Sequence, residues 1–156
     1  MTLTNSICYK QNIVQTILSC IEKNNIVQNK KDCSMRLLIV DDSDLISQRL
    51  KELLQDLEDL EIIDVASNGY DGIEKYWRYK PDVVILDIKL PKINGIEVLQ
   101  NIRKVKSPAT IIVLTNYNNS YFKDVCLTEG ADYFLDKSTE FEKVYEILNE
   151  LLIEFD

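Results

Sequence analysis

The run VVILDIKLPKING, residues 83–95, decides the fold. Four apolar residues end in Asp87, and Pro91 and Gly95 then interrupt the pattern before a helix-period segment begins. A short strand that is apolar at every position has both faces covered, as in a parallel sheet between two helical layers. The same grammar recurs upstream in LLIVDDS (37–43) and downstream in IIVLT (111–115). Working outward, we expect strands at 36–41, 61–66, 82–87, 109–115 and 133–136, each followed by a helix. The first helix should bury Leu45, Ile46, Leu50, Leu53, Leu54 and Leu57. The last should bury Phe141, Val144, Tyr145, Leu148, Leu151 and Leu152, and Thr139 with Glu142 reads as its capping box. Five βα units without an internal repeat make residues 35–156 one α/β domain.

Composition narrows the chemistry. The 156-residue chain has a net charge of −8, unevenly placed: residues 1–34 hold four lysines against two acids, leaving −10 on the rest. A body that acidic repels phosphate backbones, so no nucleic-acid partner is expected. There is no histidine, which excludes Ser-His-Asp and Cys-His catalysis, His-ligated zinc and a phosphohistidine carrier. The longest apolar runs are four residues and no signal segment is visible, so we expect a cytoplasmic protein with no membrane partner. Cys8, Cys20, Cys33 and Cys126 show no C-x-x-C spacing and are expected to be reduced thiols rather than zinc ligands.

Residues 1–34 form an Asn-rich N-terminal extension without Gly or Pro. Val14, Ile17, Leu18 and Ile21 fall at helical spacing, so residues 12–23 would make a short amphipathic helix, marginal in water unless its stripe is buried. Three readings stay open: a frayed extension, a start upstream of a natural initiator at Met35, or a helix packed on the domain or across a dimer.

The ends of the expected strands carry the chemistry. In an open parallel sheet, ligands bind beyond the carboxyl ends of the strands. There this sequence places Asp41-Asp42, Asp87, Thr115 and Lys137. One such aspartate would be read as a helix N-cap. Five residues from four strand ends converging on one rim outweigh that reading. Three clustered carboxylates need a neutralising cation, and a hard divalent ion such as Mg2+ suits oxygen ligands at an open site.

Taken together, LLIVDDS, VVILDIKLPKING, IIVLT and GADYFLDKS (130–138) resemble the receiver domains of two-component response regulators, over about residues 35–154. The resemblance implies a doubly wound, flavodoxin-like sheet of five parallel strands in the order 2-1-3-4-5. It makes Asp87 the phosphoacceptor, Asp42 the likelier direct Mg2+ ligand and Asp41 one acting through water. The Lys89 backbone carbonyl would complete the metal ligands with Asp87. Thr115 would hydrogen-bond one phosphoryl oxygen and Lys137 would pair with another. Phosphoryl transfer needs positioning and charge neutralisation more than a general base, so the lack of histidine is no defect. The donor histidine would belong to a partner kinase or phosphotransfer protein.

Three departures from the family pattern bear on function. Ser138 follows Lys137 where the family usually has a proline after a cis peptide, which leaves cis and trans both open here. Asn116 follows Thr115 at a usually small position, so its bulk is expected to slow hydrolysis of a phosphorylated form; Lys89 and Tyr117 lie near enough to modulate the same rate. Phe134 stands at the family's aromatic switch position and would respond together with Thr115, with Tyr133 as the alternative exposed aromatic. Pro91 and Gly95 match the loop after the phosphoacceptor, where we expect glycine to permit a tight turn.

The expected function is a stand-alone receiver that signals by protein contact with a downstream target, or relays phosphate, as a monomer or phosphorylation-dependent dimer. A regulator of its own kinase is the alternative. No enzymatic activity is expected beyond self-catalysed phosphoryl transfer and autodephosphorylation. Rival readings are a degenerate receiver that only binds partners, a haloacid-dehalogenase-like phosphatase built on Asp42-Ser43-Asp44, and a flavodoxin-like cofactor carrier. The phosphatase leaves Asp87 without a role, and the cofactor carrier lacks a Ser/Thr/Gly-rich phosphate loop after the first strand.

Overall fold

The computed structural model describes residues 34–155; the expected helix at 12–23, and Cys8, Cys20 and Cys33, lie outside them. Five strands and five helices alternate: β1 (Met35–Val40), α1 (Asp44–Leu54), β2 (Leu60–Ala66), α2 (Gly69–Tyr79), β3 (Val83–Leu86), α3 (Gly95–Arg103), β4 (Thr110–Thr115), α4 (Ser120–Thr128), β5 (Tyr133–Asp136) and α5 (Lys143–Phe155). All pairings are parallel and the strand order is β2-β1-β3-β4-β5.

Strand periodicity sorts the core onto two faces. Leu38, Val40, Val84, Leu86, Ile111 and Val113 meet α2, α3 and α4, including Tyr76, Leu99 and Cys126. Leu37, Ile39, Ile85, Ile112 and Leu114 point the other way, onto Leu50 and Leu54 of α1 and Val144 and Leu148 of α5. Each such fully buried aliphatic side chain contributes about 1.5–3 kcal/mol. The central strands are therefore apolar throughout because neither face is free. On the edge strand β2 the register slips between Leu37 and Leu38 of β1, placing Ile63 as an extra residue.

The helices start where short polar side chains cap them. Ser43, Asn68, Asn94 and Asn119 each accept a hydrogen bond from the amide three residues on, at 3.0–3.3 Å. The last helix differs from expectation. It begins at Lys143, not after a Thr139–Glu142 capping box, because residues 137–142 form successive turns held by Asp136. Phe141, expected on that helix, is buried from the turn before it, with the Arg49 guanidinium 4.2 Å above its ring. Leu45 is 69% exposed and off the apolar stripe of α1, since it sits nearly half a turn from Leu50 and Leu54. Cys126 is buried and unpaired, and burial pushes its thiol up to about 11, so it is inert packing. Among the described residues no helix is long and apolar enough to cross a membrane.

Candidate phosphoryl-acceptor site

The site lies where the strands end. Asp41 and Asp87 each stand one residue beyond their strands, β1 and β3, so they leave the ladder and turn into the cleft between loops. The exposed Asp42 joins them: one carboxylate oxygen from each of the three lies within 4.8 Å of the others. This all-oxygen set, open on the Asp42 side, fits a hard divalent cation such as Mg2+. Asp44, which a D-x-D phosphatase would use, opens α1 and stands outside the cluster.

Lys137 closes the site from β5. Its Nζ is 2.6 Å from Asp41 Oδ2 and 2.9 Å from Asp87 Oδ2, and all three side chains are buried. Burial pushes the Asp41 carboxyl above its ordinary value, against the lowering effect of Lys137 and of the Ser43 amide at 2.9 Å; the Asp87 charge adds to the rise. For Lys137, burial works against the charge, yet the bonds to Asp41 and Asp87 hold its pKa above the ordinary 10.5. Its contribution to stability is therefore complete below that value and is lost as pH rises through the higher native pKa.

Removing this ammonium should leave two buried carboxylates facing each other. Breaking a fully buried pair costs about 3–5 kcal/mol; with one side open, Lys137→Met should cost roughly 2–3 kcal/mol. In thermal melts this corresponds to a fall of about 6–12 °C, partly restored by millimolar Mg2+. A melting temperature equal to wild type would contradict the assignment of Lys137 as the site's charge balance.

Thr115 ends β4, fully buried, with its Oγ accepting the Tyr117 amide at 3.2 Å. The Lys137 amide donates to the Thr115 carbonyl at 3.0 Å, so the two strand ends are joined beside the carboxylates. The Lys89 side chain is exposed, and its amide faces Asp87 Oδ1 at 3.4 Å. Its Nζ lies 5.9 Å from the Tyr117 ring centroid, so both residues flank the mouth of the site. Asn116 is exposed in the loop after Thr115. Phe134 is half-buried on the α4 side with Phe122, whereas Tyr133 is half-buried on the opposite, α5 side with Tyr145. Alternation along β5 thus gives the two aromatics different neighbours.

One local question left open by the sequence is answered, and one local feature differs from expectation. No cis peptide occurs among the described residues, so Lys137–Ser138 is trans; the Ser138 amide and hydroxyl both bind Asp136 Oδ1, at 2.7 and 2.6 Å. Gly95 does not supply a left-handed turn; the positive φ in that loop belongs to Lys92, at 68°. Gly95 is needed for close approach, since a Cβ there would lie 2.0 Å from the Asp87 carbonyl oxygen. Sequence reasoning missed Asp136 and Asn118, which bind each other between the end of β5 and the loop after β4. The D-x-S spacing at 136–138 was the available signal, as an aspartate that bonds the backbone two residues on.

Comparison with known proteins agrees with this geometry. The family model described as response regulator receiver domain matches residues 37–149. The chemotaxis protein CheY of Thermotoga maritima is 34% identical over 116 residues, covering 74% of this chain and 96% of that protein. The response regulator domain of Thermotoga maritima CheB superposes with a TM-score of 0.66 at 31% identity, over 78% of this chain and 95% of that one. A chain of the CheX-CheY-BeF3-Mg+2 complex from Borrelia burgdorferi gives a TM-score of 0.64 at 30% identity, over 73% of this chain and 89% of that one. A parallel sheet with an acidic cluster at its strand ends, and a family match across nearly all of the described residues, place this chain in the response regulator receiver domain family.

Proposed function

We propose that the chain is a phospho-receiver in which Asp87 accepts a phosphoryl group from a phosphohistidine on a partner kinase or phosphotransfer protein. The observation that carries this reading is Lys137 bridging Asp41 and Asp87 inside a three-carboxylate cluster. An Asp87 carboxylate oxygen forms the new O–P bond, the N–P bond of the donor breaks, and the imidazole leaves with a proton from solvent. Lys137 would pair with a phosphoryl oxygen, and the Thr115 hydroxyl, whose oxygen accepts the Tyr117 amide and whose hydrogen that bond leaves free, would donate to another. Asp41, Asp42, Asp87 and the Lys89 carbonyl would hold Mg2+, which when bound neutralises charge on the transferring group. The solved receiver complex that contains BeF3 and Mg2+ supports the metal assignment. Signalling then proceeds by protein contact from a cytoplasmic receiver, with Phe134 and Thr115 reporting the state of the site, and the chain itself turns over no substrate. Intact-mass analysis after incubation with acetyl phosphate tests the reading: one phosphoryl group should be gained with Mg2+ and none without it.

Asn116 should set the lifetime of the phosphorylated form. It is exposed in the loop directly after Thr115, where its bulk would hinder an attacking water. Asn116→Ala is expected to speed dephosphorylation roughly two- to tenfold, a barrier lowered by about 0.4–1.4 kcal/mol. A rate unchanged or lower, measured by loss of the phosphorylated mass, would remove this role.

A further inference from the structure

Asp136 is fixed at every polar atom. Its amide donates to Glu140 Oε2 at 3.1 Å, and its carbonyl accepts the Glu140 amide at 2.9 Å. Its Oδ1 accepts from both the amide and the hydroxyl of Ser138. The remaining oxygen, Oδ2, accepts from Asn118 Nδ2, across from the loop between β4 and α4. Bonds from the Ser138 hydroxyl and amide, and then from Asn118, hold the Asp136 carboxyl below its ordinary value. The two partners differ in freedom: Asp136 is a buried anchor, whereas Asn118 is exposed and three residues past Thr115.

Resting on the receiver reading above, we propose that Asp136 and Asn118 form a clasp between the end of β5 and the β4–α4 loop, restraining the arrangement in which Asp87 carries no phosphoryl group. In register Thr115 pairs with Asp136, and Lys137 follows at once, so the clasp spans both site residues supplied by β4 and β5. In this arrangement the Thr115 oxygen is engaged by the Tyr117 amide. Carrying the hydroxyl to a phosphoryl oxygen moves the acceptor of that bond and draws with it the loop bearing Asn118. The clasp opposes this displacement, so Asp136 and Asn118 are positioning residues that act through Thr115 and set the population ready to bind the anion.

The test is titration with beryllofluoride in saturating Mg2+, with amide hydrogen exchange on the same proteins. Asn118→Ala should tighten binding about three- to tenfold, the weight of one such hydrogen bond. Asn118→Asp should tighten it at least as much, by repulsion from Asp136, whereas Asn118→Gln, still able to donate, should stay near wild type. In an Asp136→Ala background, Asn118→Ala should have no further effect. Unchanged or weaker binding in Asn118→Ala and Asn118→Asp, at wild-type melting temperature, overturns the proposal. A wild type that binds no beryllofluoride overturns the receiver reading, and with it this role. Exchange separates the two failures, since a clasp requires faster exchange at residues 117–119 in Asn118→Ala whether or not the site takes an anion.

Discussion

Asp87→Asn is expected to abolish phosphoryl uptake from acetyl phosphate while leaving the fold intact. The amide is nearly isosteric with the carboxylate, but it offers no anionic oxygen to attack phosphorus. Lys137 keeps its 2.6 Å pair with Asp41, so the buried ammonium is not orphaned. The substitution also relieves repulsion, because the Asp87 charge is one of the influences that raise the Asp41 carboxyl. Without Mg2+ the variant should therefore melt at or slightly above the wild-type temperature. Mass spectrometry and a thermal melt on the same preparation check both halves. A retained mass gain would move the acceptor to another residue and end the assignment of Asp87.

Gly95→Ala should be strongly destabilising. A methyl group at Gly95 would stand 2.0 Å from the Asp87 carbonyl oxygen and 2.8 Å from both the Asp87 carbonyl carbon and the Ile88 Cα. All three neighbours are backbone, so no side chain can swing away. The Gly95 amide also donates to the Ile88 carbonyl at 2.8 Å, which pins the start of α3 to the loop after β3. Relief requires α3 or the loop to shift, at a cost of roughly 3 kcal/mol or more. The melting temperature should fall by about 10 °C or more, and acetyl phosphate uptake should slow because Asp87 moves with its backbone. A melt within two or three degrees of wild type, on an estimate of about 1 kcal/mol at most, would show that the approach is not tight.

Much of the architecture was legible before any coordinates. The apolar runs 37–40, 83–86 and 111–114 became β1, β3 and β4 almost to the residue, because a strand covered on both faces excludes polar side chains. One error concerned periodicity itself: Leu45 counts toward the apolar stripe of α1 in the sequence, yet its angle turns it to solvent. The others fell where periodicity carries no information. The Thr139–Glu142 spacing matched a capping box, but Asp136 claimed the local donors first and delayed α5 to Lys143. Gly95 reads as a turn residue, whereas its real constraint is a contact with the Asp87 backbone, eight residues upstream.

Local order alone thus determined the alternation of strands and helices, the family resemblance and the residue types at the strand ends, because short-range patterning records which faces are buried. Only the tertiary structure decided that Lys137 reaches Asp41 and Asp87 together, residues 96 and 50 positions away, and that Asn118 meets Asp136. Those distances depend on how parallel strands register across the sheet, and no spacing in the chain encodes them. Electrostatics follows the same division: the acids are visible in the sequence, but the raised Asp41 and Lys137 values arise from burial and proximity that exist only once the sheet has formed.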